Sequence, residues 1–292
     1  MTSKKPRSKK PLSLSKGRPP TVKKAPPSLS SKATRTLINA HHQLHKKLAQ
    51  ALDSGDNAYA RELEARIEAN GGLQSYQLAS KTGQSAERGG DSSKVLVEWL
   101  SPTLQQLRGA GHKRLLRVLE IGALSTKNQC SAVESLEVTR IDLHSQEEGI
   151  LEQDFMMRPL PAGDRDMFHI ISLSLVLNYM PDPAARGDML IRSTKFLTEQ
   201  LPAEARSIGT FKPYLFLVLP LACVSNSRYF TEERLKDIMM SLGYQMVQRK
   251  ATVKLVFYLW ELDGVRDKRC TFKKEVLNPG KVRNNFTVVL RP

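Results

Sequence analysis

Leu115-Leu-Arg-Val-Leu-Glu-Ile-Gly122 is an apolar run that ends on an acid and a glycine, and Val138-Thr-Arg-Ile-Asp142-Leu is a second run that ends on an acid. Short, near-continuous apolar runs of this kind read as strands buried on both faces. Downstream the alternation continues. Phe168–Val176 is a third run, and Gly187–Gln200 reads as a helix with Met189, Leu190, Phe196 and Leu197 apolar. Tyr214–Pro220 is a further strand, and Thr231–Leu242 a helix capped by Thr231 and stopped by Gly243. Residues 244–262 are rich in β-formers, and Asn285–Leu290 reads as a last strand. Strands alternating with helices predict an α/β fold around a mostly parallel sheet.

Such sheets bind ligands at the carboxyl ends of their strands, at the topological switch point. Glu120-Ile-Gly122 stands at one strand end, where a glycine lets the backbone approach a ligand closely. Asp142 follows 20 residues after Gly122, at the next strand end. An acid there is placed to accept hydrogen bonds from ribose hydroxyls. The glycine-rich dinucleotide fingerprint is absent, since positions 122–127 read Gly-Ala-Leu-Ser-Thr-Lys. A nucleoside without a pyrophosphate fits better.

Upstream, Ser92 or Ser93 is the expected N-cap of a helix that buries Val95, Leu96, Trp99, Leu100 and Leu104. A polar loop, residues 80–93, precedes it. Residues 35–70 read as a helical hairpin. Leu37, Ile38, His41, Leu44, Leu48 and Leu52 share one face, Asp53-Ser-Gly-Asp56 turns the chain, and Tyr59, Leu63 and Ile67 point inward from a second helix ending at Gly71-Gly72. His41, His42 and His45 have no neighbouring carboxylate or thiol to complete a metal site, so a solvated or RNA-facing cluster is expected and no metal.

The chain carries 45 Lys/Arg against 29 Asp/Glu, a net +16 over 292 residues. Thirteen of the basic residues and none of the acidic ones lie in residues 1–50, which leaves +3 for the rest. Residues 1–34 are dominated by Lys, Pro and Ser, and cannot bury enough apolar surface to order themselves, so a disordered basic tail is expected. Such an arm gains affinity for nucleic acid through counterion release. Lys4-Lys5-Pro-Arg7-Ser-Lys9-Lys10 also fits a nuclear address. No apolar run is long enough for a membrane span or a secretory signal, so no membrane association is expected. Cys130, Cys223 and Cys270 are too far apart for a CxxC pair, which points to a reducing compartment. Three segments follow: the tail 1–34, the hairpin and loop 35–92, and the α/β domain 93–292.

The α/β segment resembles the class I S-adenosylmethionine-dependent methyltransferases. More narrowly, residues 35–292 resemble the fungal 25S rRNA adenine-N1 methyltransferases. The resemblance rests on Tyr76-Gln-Leu-Ala-Ser80 with Gly83-Gln-Ser85, on Val118-Leu-Glu-Ile-Gly122, Ile141-Asp-Leu143 and Gln153-Asp-Phe155 with Arg158-Pro159. Its most distinctive piece is Ser174-Leu-Val-Leu-Asn-Tyr-Met-Pro-Asp-Pro183 with Arg186-Gly187, continued by Phe216–Pro220 and Asn226–Tyr229. The first motif departs from the family pattern in lacking a second glycine, and Asn/Asp-Pro-Pro-Tyr is missing.

The resemblance implies a Rossmann-like class I methyltransferase sheet with helices on both faces, S-adenosyl-L-methionine as cofactor, and large-subunit ribosomal RNA or pre-ribosomal particles as partner. It also implies action in the nucleus and nucleolus during ribosome biogenesis. Gly122 would pass under the cofactor beside Glu120, and Asp142 would hold the ribose diol. Asp154 would approach the adenine amino group and Phe155 its ring, with Asp164 and Asp166 as rivals to Asp154. Adenine N1 lies on the Watson–Crick edge, so the base must be unpaired or flipped out. Asn178 and Tyr179 follow the third apolar run, where that base arrives. Asn178 is placed to bond its edge and Tyr179 to stack on it, or else Asn178 caps a turn and Tyr179 packs inward. One chain suffices for these roles, so a monomer is expected. A non-catalytic RNA-binding assembly factor on a degenerate methyltransferase fold is the alternative, and a protein methyltransferase gives no use for the cationic arm.

Overall fold

The computed structural model describes residues 31–72, 90–109, 115–145, 147–264 and 270–291. Tyr76–Ser80, Gly83–Ser85 and residues 1–30 lie outside these. Two helices, α1 (Ser31–Asp53) and α2 (Asn57–Ala69), form the hairpin. The helix α3 (Ser93–Gly109) leads into the sheet. Its strands are β1 (Leu116–Ile121), β2 (Leu136–Asp142), β3 (Leu151–Glu152), β4 (Ile170–Ser174), β5 (Tyr214–Pro220), β6 (Tyr244–Ala251) and β7 (Leu255–Leu262). Between them run α4 (Pro183–Thr194), α5 (Ala222–Ser225) and α6 (Glu232–Ser241).

The sheet order is β3-β2-β1-β4-β5-β7-β6. The first five strands are parallel, and β7 runs antiparallel to both β5 and β6. This is the Rossmann-like methyltransferase sheet that the resemblance implies. Alternate residues of each strand feed two cores. Leu119, Ile121, Leu173, Leu217, Tyr258 and Trp260 pack under α4 and α6. Leu116, Val118, Ile170, Phe216 and Leu259 pack under α3 with Leu96, Leu100, Leu104 and Leu107. The chain leaves β1 for β2 on one side and returns to β4 on the other. The switch point therefore falls between the carboxyl ends of β1 and β4.

Several expectations need correction. The helix read from Gly187 starts at Pro183, because Asp182 caps it by accepting from Ala184 N and Ala185 N at 3.1 Å each, and proline is pre-organised for the first helical position. It ends at Thr194, ahead of the expected Gln200. Asn285–Leu290 joins no strand of the sheet. It crosses α4 instead, with Val289 N bonded to Pro183 O at 2.9 Å. Gly187 permits that crossing, since a Cβ there would meet Val289 O at 2.0 Å. The short third strand has no signature of its own in the sequence, because only its two residues pair. In the hairpin, Leu63 and Ala60 are buried, while Tyr59 and Leu52 are exposed, because two helices alone cover one stripe each. The α1 helix starts at Ser31, inside the segment read as tail, as no proline follows Pro27 to stop it.

Candidate active site

At the end of β1 the chain turns across β2. Gly122 N and Ala123 N both donate to Ile141 O, at 2.8 and 3.1 Å. Gly122 adopts φ +74°, and a Cβ there would lie 2.6 Å from Val176 Cγ2. Both the left-handed backbone and the close approach demand glycine. Asp142 ends β2 one position beyond the partner of Ile121, and its Oδ1 accepts from His144 N at 2.9 Å. A pocket opens beside Gly122, lined by Asp91, Ser92, Glu120, Leu124, Asn128 and Ser174. Gly122 and Glu120 are thus together, with Asp142 on the adjoining strand end.

Glu120 is buried, accepts from Asn128 Nδ2 at 2.6 Å, and lies 3.9 Å from Arg140 Nε, an ion pair without a hydrogen bond. Burial pushes its carboxyl up to about 7, against the pull of Asn128 and Arg140. Burial, then the charge of Glu120, pushes the neighbouring Cys130 thiol up to about 12, which leaves it a poor nucleophile. Neither serine side chain caps α3. Asp91 Oδ1 accepts from Ser93 N at 2.8 Å, and Ser92 Oγ is spent on Ser174 Oγ at the end of β4, also 2.8 Å. Asp91 and Ser92 were missed in the sequence because the segment before a helix reads equally well as a plain cap.

The loop after β4 is held from several sides. Leu175 has φ +60°, the one non-glycine residue with positive φ among those described. Such a conformation costs a branched side chain about 1–2 kcal/mol and persists only where surroundings enforce it. Leu177 is buried in the core. Arg186 clamps the loop: its Nε and Nη2 donate to Met180 O at 2.9 and 2.6 Å, and its Nη1 to Thr287 O at 2.6 Å. Burial lowers its pKa to about 10, so it stays charged at neutral pH. Between these anchors sits Asn178, whose buried Oδ1 has no hydrogen-bond partner among the described residues. It caps no turn through that atom. Tyr179 is half-buried rather than in the core, and its hydroxyl shares a 2.8 Å hydrogen bond with Nε2 of His41 on α1.

Two expectations fail here. Phe155 is a core residue, 2% exposed, with the Phe196 ring centroid at 5.3 Å and the Arg192 guanidinium 5.7 Å from its own centroid, so no face is open to a ligand. An aromatic after an acid has the same pattern whether it faces in or out. His41 is not solvated but buried, and His45 is half-buried with its pKa lowered by that burial. The side chain of His42 lies outside the described residues. Asp154 does follow the end of β3, and its Oδ1 accepts from Met156 N at 2.8 Å. Its rivals are elsewhere: Asp164 accepts from Thr198 Oγ1, and its carboxylate lies 3.9 Å from Arg117, near the amino end of β1.

A glycine turn beside a small polar pocket, with a carboxylate on the next strand, is the set of groups that the sequence offered for a nucleoside. The donor set offers no metal site: among the described residues no three His, Cys, Asp or Glu side chains converge.

Residues 61–288 match the family model described as 25S rRNA (adenine(2142)-N(1))-methyltransferase, Bmt2. The chain is 37% identical over 253 residues to the 25S rRNA adenine-N(1) methyltransferase of Schizosaccharomyces pombe, covering 86% of this chain and 89% of that protein. It is 38% identical over 255 residues to the 25S rRNA (adenine(2142)-N(1))-methyltransferase of Saccharomyces cerevisiae, covering 85% and 70%. Among solved structures, a 1,6-didemethyltoxoflavin-N1-methyltransferase from Burkholderia thailandensis aligns at 13% identity with a TM-score of 0.40, covering 64% of this chain and 86% of that one.

Proposed function

Because the chain belongs to the 25S rRNA (adenine-N1)-methyltransferase family, we propose that it transfers the methyl group of S-adenosyl-L-methionine to N1 of an adenine in large-subunit ribosomal RNA. The bound cofactor supplies an electrophilic methyl on a sulfonium. Gly122 lets the backbone pass beneath it, Asp142 accepts from the ribose hydroxyls, and the pocket at Glu120 receives the amino-acid arm. Asp154, two residues past β3, would meet the adenine amino group of the cofactor.

Neutral adenine N1 attacks with its own lone pair. The N1–carbon bond forms as the carbon–sulfur bond breaks, the sulfur keeps the electron pair, and no proton moves. The chain's task is alignment and the exclusion of water. The single observation that carries the acceptor side is the orphaned Oδ1 of Asn178, on a loop that touches Gly122 through Val176. A buried carbonyl without a donor costs about 1–3 kcal/mol. The exocyclic amine of adenine is the donor that repays it, and that bond turns N1 toward the methyl. Tyr179 offers the flipped base a ring to stack on.

RNA binding is supported by the charge of residues 1–34 and by a basic rim at the carboxyl edge of the sheet. There Lys274 lies 4.6 Å over the ring of Tyr229, beside Arg228, and exposed Lys273 and Lys281 flank them. The basic tail also supports a nuclear and nucleolar location.

A methyl on N1 blocks Watson–Crick pairing and stops reverse transcriptase. RNA from cells lacking the protein should lose one such stop, which the wild-type chain restores and Gly122→Arg does not. Asn178→Ala should leave S-adenosylhomocysteine affinity unchanged in calorimetry while slowing methylation by roughly 10-fold or more. A stop that persists without the protein overturns the reading. One restored by a Gly122→Arg protein unable to bind cofactor points instead to a non-catalytic assembly factor.

A further inference from the structure

We infer that His41, on the N-terminal helix, is a positioning residue for methyl transfer: its bond to the Tyr179 hydroxyl holds the ring on which the target adenine is set. The inference rests on the reading of Asn178 and Tyr179 as the base-facing pair. His41 and Tyr179 stand 138 residues apart in sequence and meet through a 2.8 Å bond between Nε2 and the hydroxyl. Their ring planes differ by 13°, with centroids 6.1 Å apart. A 2.8 Å bond is shorter than the roughly 3.5 Å that separates stacked faces in van der Waals contact. His41 therefore meets Tyr179 at its hydroxyl edge and is not stacked face to face on it. Stacking of a splayed-out base on a tyrosine ring is the manner of single-stranded RNA readers, and the bond to His41 fixes the orientation of that ring.

Both partners of the bond are held. Tyr179 sits on the loop fixed by Leu175 at φ +60° and by the Arg186 clamp. His41 is 6% exposed, with the His45 ring 4.3 Å away. The hairpin behind it is stiffened by Ala51, Ala60 and Leu63, packed with Leu44 and Leu48. A lone tyrosine turns about its side-chain bonds, whereas one bonded at its far end does not. Displacement of a reacting group by about 1 Å costs on the order of 100-fold in rate, so pinning the ring matters for turnover. The N-terminal hairpin is thereby a wall of the acceptor pocket.

The test uses the full chain, S-adenosylmethionine, and large-subunit RNA from cells lacking the protein, in single-turnover methyl transfer. Tyr179→Phe, His41→Leu and His41→Asn all break the bond, the asparagine amide being too short to reach. His41→Gln keeps an amide near the position of Nε2. Each bond-breaking variant should slow transfer by about 3–10-fold, the double variants no more than a single one, and His41→Gln should stay close to wild type. Affinity for S-adenosylhomocysteine should not change. Rate reductions that multiply in the double variants overturn the proposal, as does a glutamine variant as slow as the asparagine one. Faster transfer by His41→Leu would overturn it too, and would mean that the helix only obstructs the pocket. Wild-type protein that places no methyl on adenine N1 overturns the functional reading itself, a result separate from any of these.

Discussion

Glu120 sits one residue inside the end of β1, and its environment couples folding to pH. In the unfolded chain its carboxyl titrates near 4.5, and burial in the fold pushes it up to about 7. Below 4.5 both states are protonated and the residue's contribution is fully present. As pH rises through the folded value, the buried group must ionise and that contribution is lost. The shift corresponds to roughly 3 kcal/mol. Glu120→Gln removes the decline, so its stability relative to wild type in urea should rise from pH 4.5 to 7 and then level off. A difference independent of pH would mean that Glu120 is not the titrating group. Gly122 was legible because the turn at the end of β1 demands its left-handed backbone, and Asp142 because it ends the neighbouring parallel strand. Phe155 was not, since an aromatic serves a core and a ligand equally well. His41 was hidden for another reason: its partner is 138 residues away, and no local pattern encodes such a pairing.

Among the elements, the loop from Leu175 to Asp182 is the one whose shape the surrounding structure imposes. Its hold is Arg186, one turn into α4, reaching back to Met180 O and across to Thr287 O. Arg186→Met leaves both carbonyls without that donor and should cost about 2–4 kcal/mol. Arg186→Lys should recover only part, because an ammonium lacks the planar fork that serves two acceptors. Limited proteolysis should then cut within residues 175–183, while wild type resists; equal resistance of all three would show that the core alone holds the loop. The strands and α6 were readable from period and caps, and Thr231 does accept from Arg234 N at 3.1 Å as its position implies. The start of α4 was not, because Asp182-Pro183 looks like a turn when the helix beyond it begins with small residues. Asn285–Leu290 has the composition of a strand, but its donors and acceptors are taken by α4, by Phe272 and by the Ser227 hydroxyl, which donates to Phe286 O.

For the molecule as a whole, charge and fold are separable. The basic tail holds most of the positive excess, and the two cores hold the sheet. Deleting residues 1–30 should therefore leave thermal stability and cofactor affinity unchanged. RNA affinity should fall, and its log–log dependence on salt should become shallower by about 0.7–0.9 for each phosphate that the protein no longer neutralises. An unchanged slope would assign RNA binding to the rim around Arg228 and Lys274 alone, and would leave the tail as a cellular address. That rim itself was invisible in the sequence, where Arg228 and Lys274 are far apart and are joined by the bonds of Leu277 N and Asn278 N to Arg228 O.

The strap that crosses α4 also sets a clock. The acceptor loop is fastened by Thr287 O and its neighbour helix by Val289 N, groups that follow the last strand of the sheet in the chain. Synthesis delivers the amino-terminal hairpin and the cofactor strands first, and contacts of long sequence separation close last. A nascent chain can thus own a finished nucleoside pocket while its acceptor side is still open. A polypeptide broken off between β7 and Thr287 is expected to keep the nucleoside pocket and to lose the fastening of its acceptor loop.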